Sequence, residues 1–494
     1  MSHEEVVIDK NDIRETDLES KQTSTKNAWL WYSYDMADTF FSQSVISLAF
    51  TPFVLLLGVQ MGWRFPTVFI VMSVFMAGSN LLIAIFGPIL GAISDKVGKR
   101  KPAVLISAGI MVTTTALITV WSNFWWACIL FVVANFCYQA GRMFYDAQIP
   151  FIAETEKRGF TQAIGGALAA FGSVIAILVT MVIGNPKLFG DHTPVDTGIW
   201  QVGGVAIDPN TINYGGLQYL FLISAIIIIL LSIPYLFHKE VQNPPEEKMS
   251  PKDHVKSSLV AFKTSLKAII SDKNSWLFFL AWFFITDAAN TTILYMVPVI
   301  SIVGGEALHG KVELVILGGI IFSIIFGIII GRLMNKLGPK KLFLGVGISW
   351  FIAIVIFVLS GLQIGAVTIP AWLIWFGAIF IGVGFGGIWI VGRQFIMVLA
   401  PPSKLAQYGG FQKIAGRVSA IVSPLLFGLV IFLTDPYFAY NEEIIKQAIP
   451  MRIALASLLV LFSLGILVAW FIKDPHKRYM KGERAPYKGI YDKE

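Results

Sequence analysis

A chain of 494 residues with 55% hydrophobic and 14% charged residues, and a mean hydropathy of +0.70, is too apolar for a soluble multidomain protein. Its net charge of +7 does not indicate nucleic acid, because Lys and Arg gather in alternate connections between apolar runs, the pattern that orients a membrane protein. Runs such as Phe221 to Leu231, apolar except for small or hydroxyl residues, exclude a transmembrane barrel, whose strands alternate in polarity.

In chain order, residues 1–27 are polar and acidic, lack an apolar signal core, and read as a disordered cytoplasmic tail. Nearly uncharged runs then follow at about 28–57, 67–92, 102–121, 124–146, 161–183, 215–237, 276–303, 311–333, 342–361, 370–399, 409–433 and 450–472, here called spans 1 to 12. The expected fold is therefore an all-α polytopic membrane protein of twelve helices in two six-helix halves, 28–237 and 276–472. Lysines and arginines crowd the connection after span 2 (Lys96, Lys99, Arg100, Lys101), the connection after span 6 and the tail 473–494, so both termini are expected in the cytoplasm. Between the halves, 238–275 opens on Asn243, Pro244, Pro245 and continues with Val255, Leu259, Phe262, Leu266 and Ile269 at helical spacing, an amphipathic helix expected on the membrane surface.

Cys128 and Cys137 both fall in span 4, about 13 Å apart by the helical rise and on opposite faces, so they cannot pair within the chain. All six histidines lie in tails or loops, which argues against a buried proton relay or a metal cluster. Trp29, Trp31, Trp63, Trp121, Trp125, Trp126 and Trp470 stand near span ends and read as an interfacial belt.

Charges inside spans carry the functional signal, because an ionised side chain in a bilayer costs roughly 2.5 to 3.5 kcal/mol and survives only facing protein or water. Span 1 carries Asp35 and Asp38, span 4 Arg142 and Asp146, span 7 Asp287, span 10 Arg393, and span 11 Lys413 and Arg417. Asp35, Asp38 and Ser42 follow one helical stripe, and Asp287, Asn290 and Thr291 make a counterpart in span 7. Two poorly solvated carboxylates can be poised for proton coupling; alternatively one caps a broken span 1 while the other forms a fixed pair with Arg142 or Arg393. In span 4, Asn135, Gln139, Arg142 and Asp146 share a face, and Arg142 with Asp146, an i, i+4 pair near the cytoplasmic end, reads as a gate; Arg393 inherits that role. No constellation of nucleophile, base and metal suggests an enzyme.

The halves repeat. Asp35 to Asp38 matches Asp287 to Asn290, Gly141-Arg142 matches Gly392-Arg393, Gly159-Phe160 matches Gly410-Phe411, and Gly91 to Lys101 matches Gly331 to Lys341, in the same order. Three matched positions keep a carboxylate and the fourth is Asn290, which singles out Asp38 for coupling.

Gly91 to Lys101 reads G-x-x-x-D-K-x-G-x-R-K between spans 2 and 3 and resembles the loop signature of the major facilitator superfamily. Within it, Trp31 to Asp38, Gly87 to Asp95, Gly409 to Phe411 and Ser423 to Gly428 resemble the group that includes autophagy-related vacuolar amino-acid effluxers. Asp38 and Thr39 depart from that group's Asn-Ser, and Tyr34 to Asp38 is also similar to a segment of glycoside–cation symporters.

The resemblance implies a secondary transporter working by alternating access on a small polar solute, amino acids first, coupled to protons and without a bound cofactor. The alternatives are a cation-coupled sugar symporter and a non-transporting receptor on the same scaffold. Asp35, Asp38, Asp287, Asn290, Ser42 and Gln139 are then the candidates for substrate and proton contact. Gly91, Asp95, Gly98, Arg100, Arg142, Asp146, Arg393 and Arg417 are the candidates for a cytoplasmic gate, with Asp95 holding span 11. The partners expected are the solute and the lipid bilayer, not nucleic acid, and a monomer. The membrane is the plasma membrane of a prokaryote or otherwise a vacuolar one.

Overall fold

In the computed structural model, the structure describes residues 25–97, 100–148, 152, 158–183, 216–240, 260, 267, 269–304, 308, 311–400, 405–438, 448–483 and 485. Eleven helices there are long and apolar enough to cross a membrane, and span 11 holds a shorter apolar stretch, Val418–Thr434. The tail before residue 25, the segment 241–259 and most of the expected amphipathic helix lie outside the described residues.

Span 1 is Thr25–Phe41, a π-helical segment Ser42–Phe50, and Thr51–Gln60. The π segment is rich in serine, whose hydroxyls compete with the backbone ladder: Ser47 Oγ donates to the carbonyl of Ser42, and Ser44 shares a 2.7 Å hydrogen bond with Ser224 of span 6. Pro52, just beyond, has no N–H to give, and the ladder returns to α-helix past it. Spans 2 to 6 are Phe65–Val97, Lys101–Ile118, Phe124–Asp146, Arg158–Ile183 and Leu217–Leu236. Spans 7 to 12 are Lys273–Leu294 continued by Met296–Gly304, Val312–Leu337, Pro339–Leu359, Ile374–Leu399, Leu405–Phe438 and Ile449–Trp470. A short hairpin, β1 Gln363–Ile364 with β2 Val367–Thr368, precedes span 10.

Local chemistry sets several boundaries. The Asn123 side chain accepts from the Trp126 N–H at 3.1 Å to start span 4, and Asp272 accepts from the Ser275 N–H at 3.0 Å to start span 7. Between spans 8 and 9, Gly338 takes φ +79° before Pro339, and a Cβ there would strike the His476 ring.

Spans 8 and 10, 9 and 10, 2 and 11, 3 and 4, and 1 with 5 and 6 pack along one another. Spans 1, 4 and 7 are the most buried of the eleven and spans 3, 6 and 12 the least. Such a division puts the charged helices inside and leaves rows such as Ile226, Ile229, Leu230 and Ile233 exposed for lipid.

The start of span 1 meets the residues after span 6, Asn27 with Lys239, and the start of span 7 meets the residues after span 12, Asn274 with Lys473; this is the terminal end of the bundle, and the turns after spans 1, 3 and 9 mark the remote end. At the terminal end of the first half the side chains are polar and aromatic. Gln148 Oε1 accepts from Trp31 Nε1 at 2.9 Å and from the Tyr235 hydroxyl at 3.0 Å, while Trp31 stacks on Tyr145 with centroids 4.2 Å apart. Trp31 is therefore buried core, not interfacial belt, because its indole N–H finds a buried acceptor; Trp29, Trp121, Trp125 and Trp470 are exposed. Glu240 accepts from the backbone N–H of Arg100 (2.6 Å) and of Lys101 (2.9 Å), closing the start of span 3. Beside it His238 is buried against Tyr235, and burial, opposed by its bond to the Asn27 carbonyl, pushes the imidazole down to about 4.

Candidate functional site

The span 1 stripe faces span 4. Asp38, only 2% exposed, places Oδ2 3.0 Å from the Arg142 guanidinium, and the same nitrogen donates to the Tyr138 hydroxyl at 3.2 Å. The ion pair of Arg142 is thus with span 1; Asp146, one turn along its own helix, acts on it from farther away. Asp35 lies one turn nearer the terminal end, half-buried, and makes no hydrogen bond among the described residues. Gly165 of span 5 makes room for it, since a Cβ there would stand 2.8 Å from Asp35 Oδ2. The charges that act on Asp35 are Arg142 and Asp146 of its own half and Arg393 of the other.

The second half builds a related but different arrangement. Asp287 is fully buried, and its Oδ1 accepts from the backbone N–H of Ser423 in span 11 at 3.2 Å. Its Oδ2 has no hydrogen-bond partner among the described residues. Asn290, a turn further along, is half-buried, and so is Ser42 on span 1. Arg393 is exposed, its Nε donating to the Trp389 carbonyl at 3.2 Å, although the carboxylates acting on it, Asp35 and Asp146, belong to the opposite half. Arg393 is thus open to solvent while carboxylates of the opposite half act on it, and Arg142 (38% exposed) and Trp389 (43%) are likewise solvent-reachable within their spans.

The repeated glycines have one packing role. A Cβ on Gly141 would stand 2.8 Å from the Tyr34 hydroxyl, and one on Gly392 would stand 2.1 Å from the Trp282 ring. Each lets an aromatic of the first helix of its half approach the fourth closely. Beyond that the symmetry fails, because the partner of Asp38 is a guanidinium and the partner of Asp287 a backbone amide.

Gly98 and the side chains of Asp95 and Arg417 lie outside the described residues, while Gly91 continues the span 2 helix. Arg100 is held through its backbone to Glu240, a carboxylate that the sequence offers no motif for. Gln139 reaches Asn80 of span 2 at 3.5 Å, and Asn80 Nδ2 donates to the Ala420 carbonyl of span 11 at 3.0 Å. Asn80 was detectable only as an amide in an otherwise apolar span, and Tyr138 only through the repeat. No group of three His, Cys, Asp or Glu side chains placed to hold a metal occurs among the described residues.

The sequence profile of the Major Facilitator Superfamily matches residues 39–424 and 309–486, and the chain belongs to that family. It is 24% identical over 459 residues to the uncharacterized MFS-type transporter YxiO of Bacillus subtilis (strain 168), across 91% of this chain and 95% of that protein. Among solved structures it resembles the nucleoside transporter NupG (TM-score 0.62, 14% identity, 90% of this chain and 99% of that one). It also resembles a bacterial homolog of the human lysosomal transporter Spinster in an inward-facing and occupied conformation (TM-score 0.57, 13% identity, 96% and 99%). At these identities the structural likenesses establish the fold and not the cargo.

Proposed function

We propose that the protein is a secondary active transporter that moves a small polar solute, an amino acid or close relative, by alternating access coupled to protons. The observation that carries this reading is that Asp35, which makes no hydrogen bond among the described residues, lies within electrostatic reach of Arg393, an exposed guanidinium of the opposite half. Opposite charges on facing walls suit a zwitterion, whose ammonium and carboxylate need both at once. A proton on Asp38 would release Arg142 to the cleft, which makes their ion pair a switch that a proton gradient can throw. With the termini in the cytoplasm, as the lysine-rich connections argue, the solvent-reachable side of this conformer faces inward.

The test is uptake into proteoliposomes under an imposed proton gradient, preceded by a thermal-shift screen of amino acids and glycosides. Stabilisation by amino acids and gradient-driven flux that disappears in Asp35→Asn and in Arg393→Gln support the reading. A shift with glycosides alone, or flux in both variants equal to wild type, overturns it.

A further inference from the structure

Span 11 contains Pro424 inside its helix, and a proline at that position has no N–H to give to the carbonyl four residues back, that of Ala420. In a membrane such a carbonyl must be satisfied by some other donor. The donor is Asn80 Nδ2 at 3.0 Å, from span 2 in the other half, 340 residues away in the chain. A carbonyl only accepts, so the amide must present its NH₂ here, and Gln139 donating to Asn80 Oδ1 is consistent with that orientation. One residue before the proline, the Ser423 N–H is turned to Asp287. A few residues further towards the remote end the same two spans come closer still. Gly428 lies against Ser73, with 2.5 Å between a would-be Cβ and the hydroxyl. Ser73 also shares a 2.7 Å hydrogen bond with Tyr295, and Tyr295 stacks on Phe427 at 4.9 Å.

We infer that Asn80 and Pro424 form a latch: the proline keeps the Ala420 carbonyl without a helical donor, and Asn80 supplies one only while the remote end of the cleft is shut. Opening that end strands a carbonyl in an apolar setting until water replaces the amide, so the latch biases the protein towards the conformer described here. Asp287, bound at the same break in span 11, is anchored beside the latch. The inference requires neither a particular solute nor a coupling ion, and its test uses neither.

Spin labels at Met61 and Ile364, 44% and 60% exposed at the remote end of the first and second halves, report whether that end is open. The measurement is the pulsed-dipolar distance distribution of full-length protein in nanodiscs, with Cys128 and Cys137 replaced by alanine. In Asn80→Leu, which keeps the size but removes the donor, the ratio of the longer to the shorter distance rises about fivefold or more, as expected for the loss of one net hydrogen bond. In Pro424→Ala the new N–H competes for the carbonyl and the ratio rises likewise; this helix-favouring variant carries the test if Asn80→Leu does not fold. The double variant moves no further than the stronger single one. A wild-type distribution in Pro424→Ala, or single shifts that add in the double variant, overturns the latch.

Discussion

The Asp38 carboxylate and the Arg142 guanidinium, 104 residues apart in the chain, meet at 3.0 Å and bind span 1 to span 4. The pair is lopsided in its solvation, with 2% exposure for the acid and 38% for the base, so its two halves are not equivalent under mutation. Arg142→Gln strands a charge in the interior and is expected to cost about 3 kcal/mol, whereas Asp38→Asn leaves a guanidinium that reaches water and costs about 1 kcal/mol. Asp38→Asn combined with Arg142→Gln recovers most of the larger loss. Thermal unfolding of the three variants in detergent checks the order.

Asp35 has a different expected phenotype. It makes no hydrogen bond among the described residues, so Asp35→Asn removes a costly charge without breaking a contact. The variant is expected to unfold at the wild-type temperature or above while losing gradient-driven transport about 100-fold, the scale of one general acid–base group. Parallel melting and proteoliposome flux separate this outcome from a folding defect.

Close helix packing in the second half depends on Gly386, where a Cβ would stand 2.1 Å from the backbone carbonyl of Ser323 in span 8. Backbone cannot swing aside as a side chain does, so Gly386→Ala should cost about 1 to 3 kcal/mol by overpacking. Gly345, with nothing within 4 Å, is the control: Gly345→Ala should be neutral or stabilising by up to about 1 kcal/mol through helix propensity.

His238 gives a pH dependence outside the membrane spans. Burial lowers the folded imidazole to about 4 from the ordinary 6.5, so the unfolded chain takes up a proton first as pH falls. Above about pH 6.5 the group has no effect, between 6.5 and 4 it progressively destabilises the fold, and below 4 the loss is constant. His238→Phe keeps the ring on Tyr235 and removes the titration, so the melting temperatures of variant and wild type, measured from pH 7.5 to 4, should converge or cross in that window.

The spans, the division into halves and the burial of spans 1, 4 and 7 were all legible in the sequence, because hydropathy and charge along a helix reflect its own surroundings. The stripe Asp35, Asp38, Ser42 and the matched glycines Gly141 and Gly392 were likewise visible from spacing and repetition, and the glycines do pack alike. Trp31 was misjudged as interfacial because its acceptor, Gln148, stands 117 residues away.

By itself the sequence determined which side chains had to be kept from lipid. Only the tertiary structure decided with whom each of them is paired: Asp38 with Arg142, Asp287 with the Ser423 amide, the carbonyl freed by Pro424 with Asn80. Partner choice depends on how far each helix is rotated and slid against its neighbours, and packing across spans distant in the chain sets those two quantities, not the local pattern of residues.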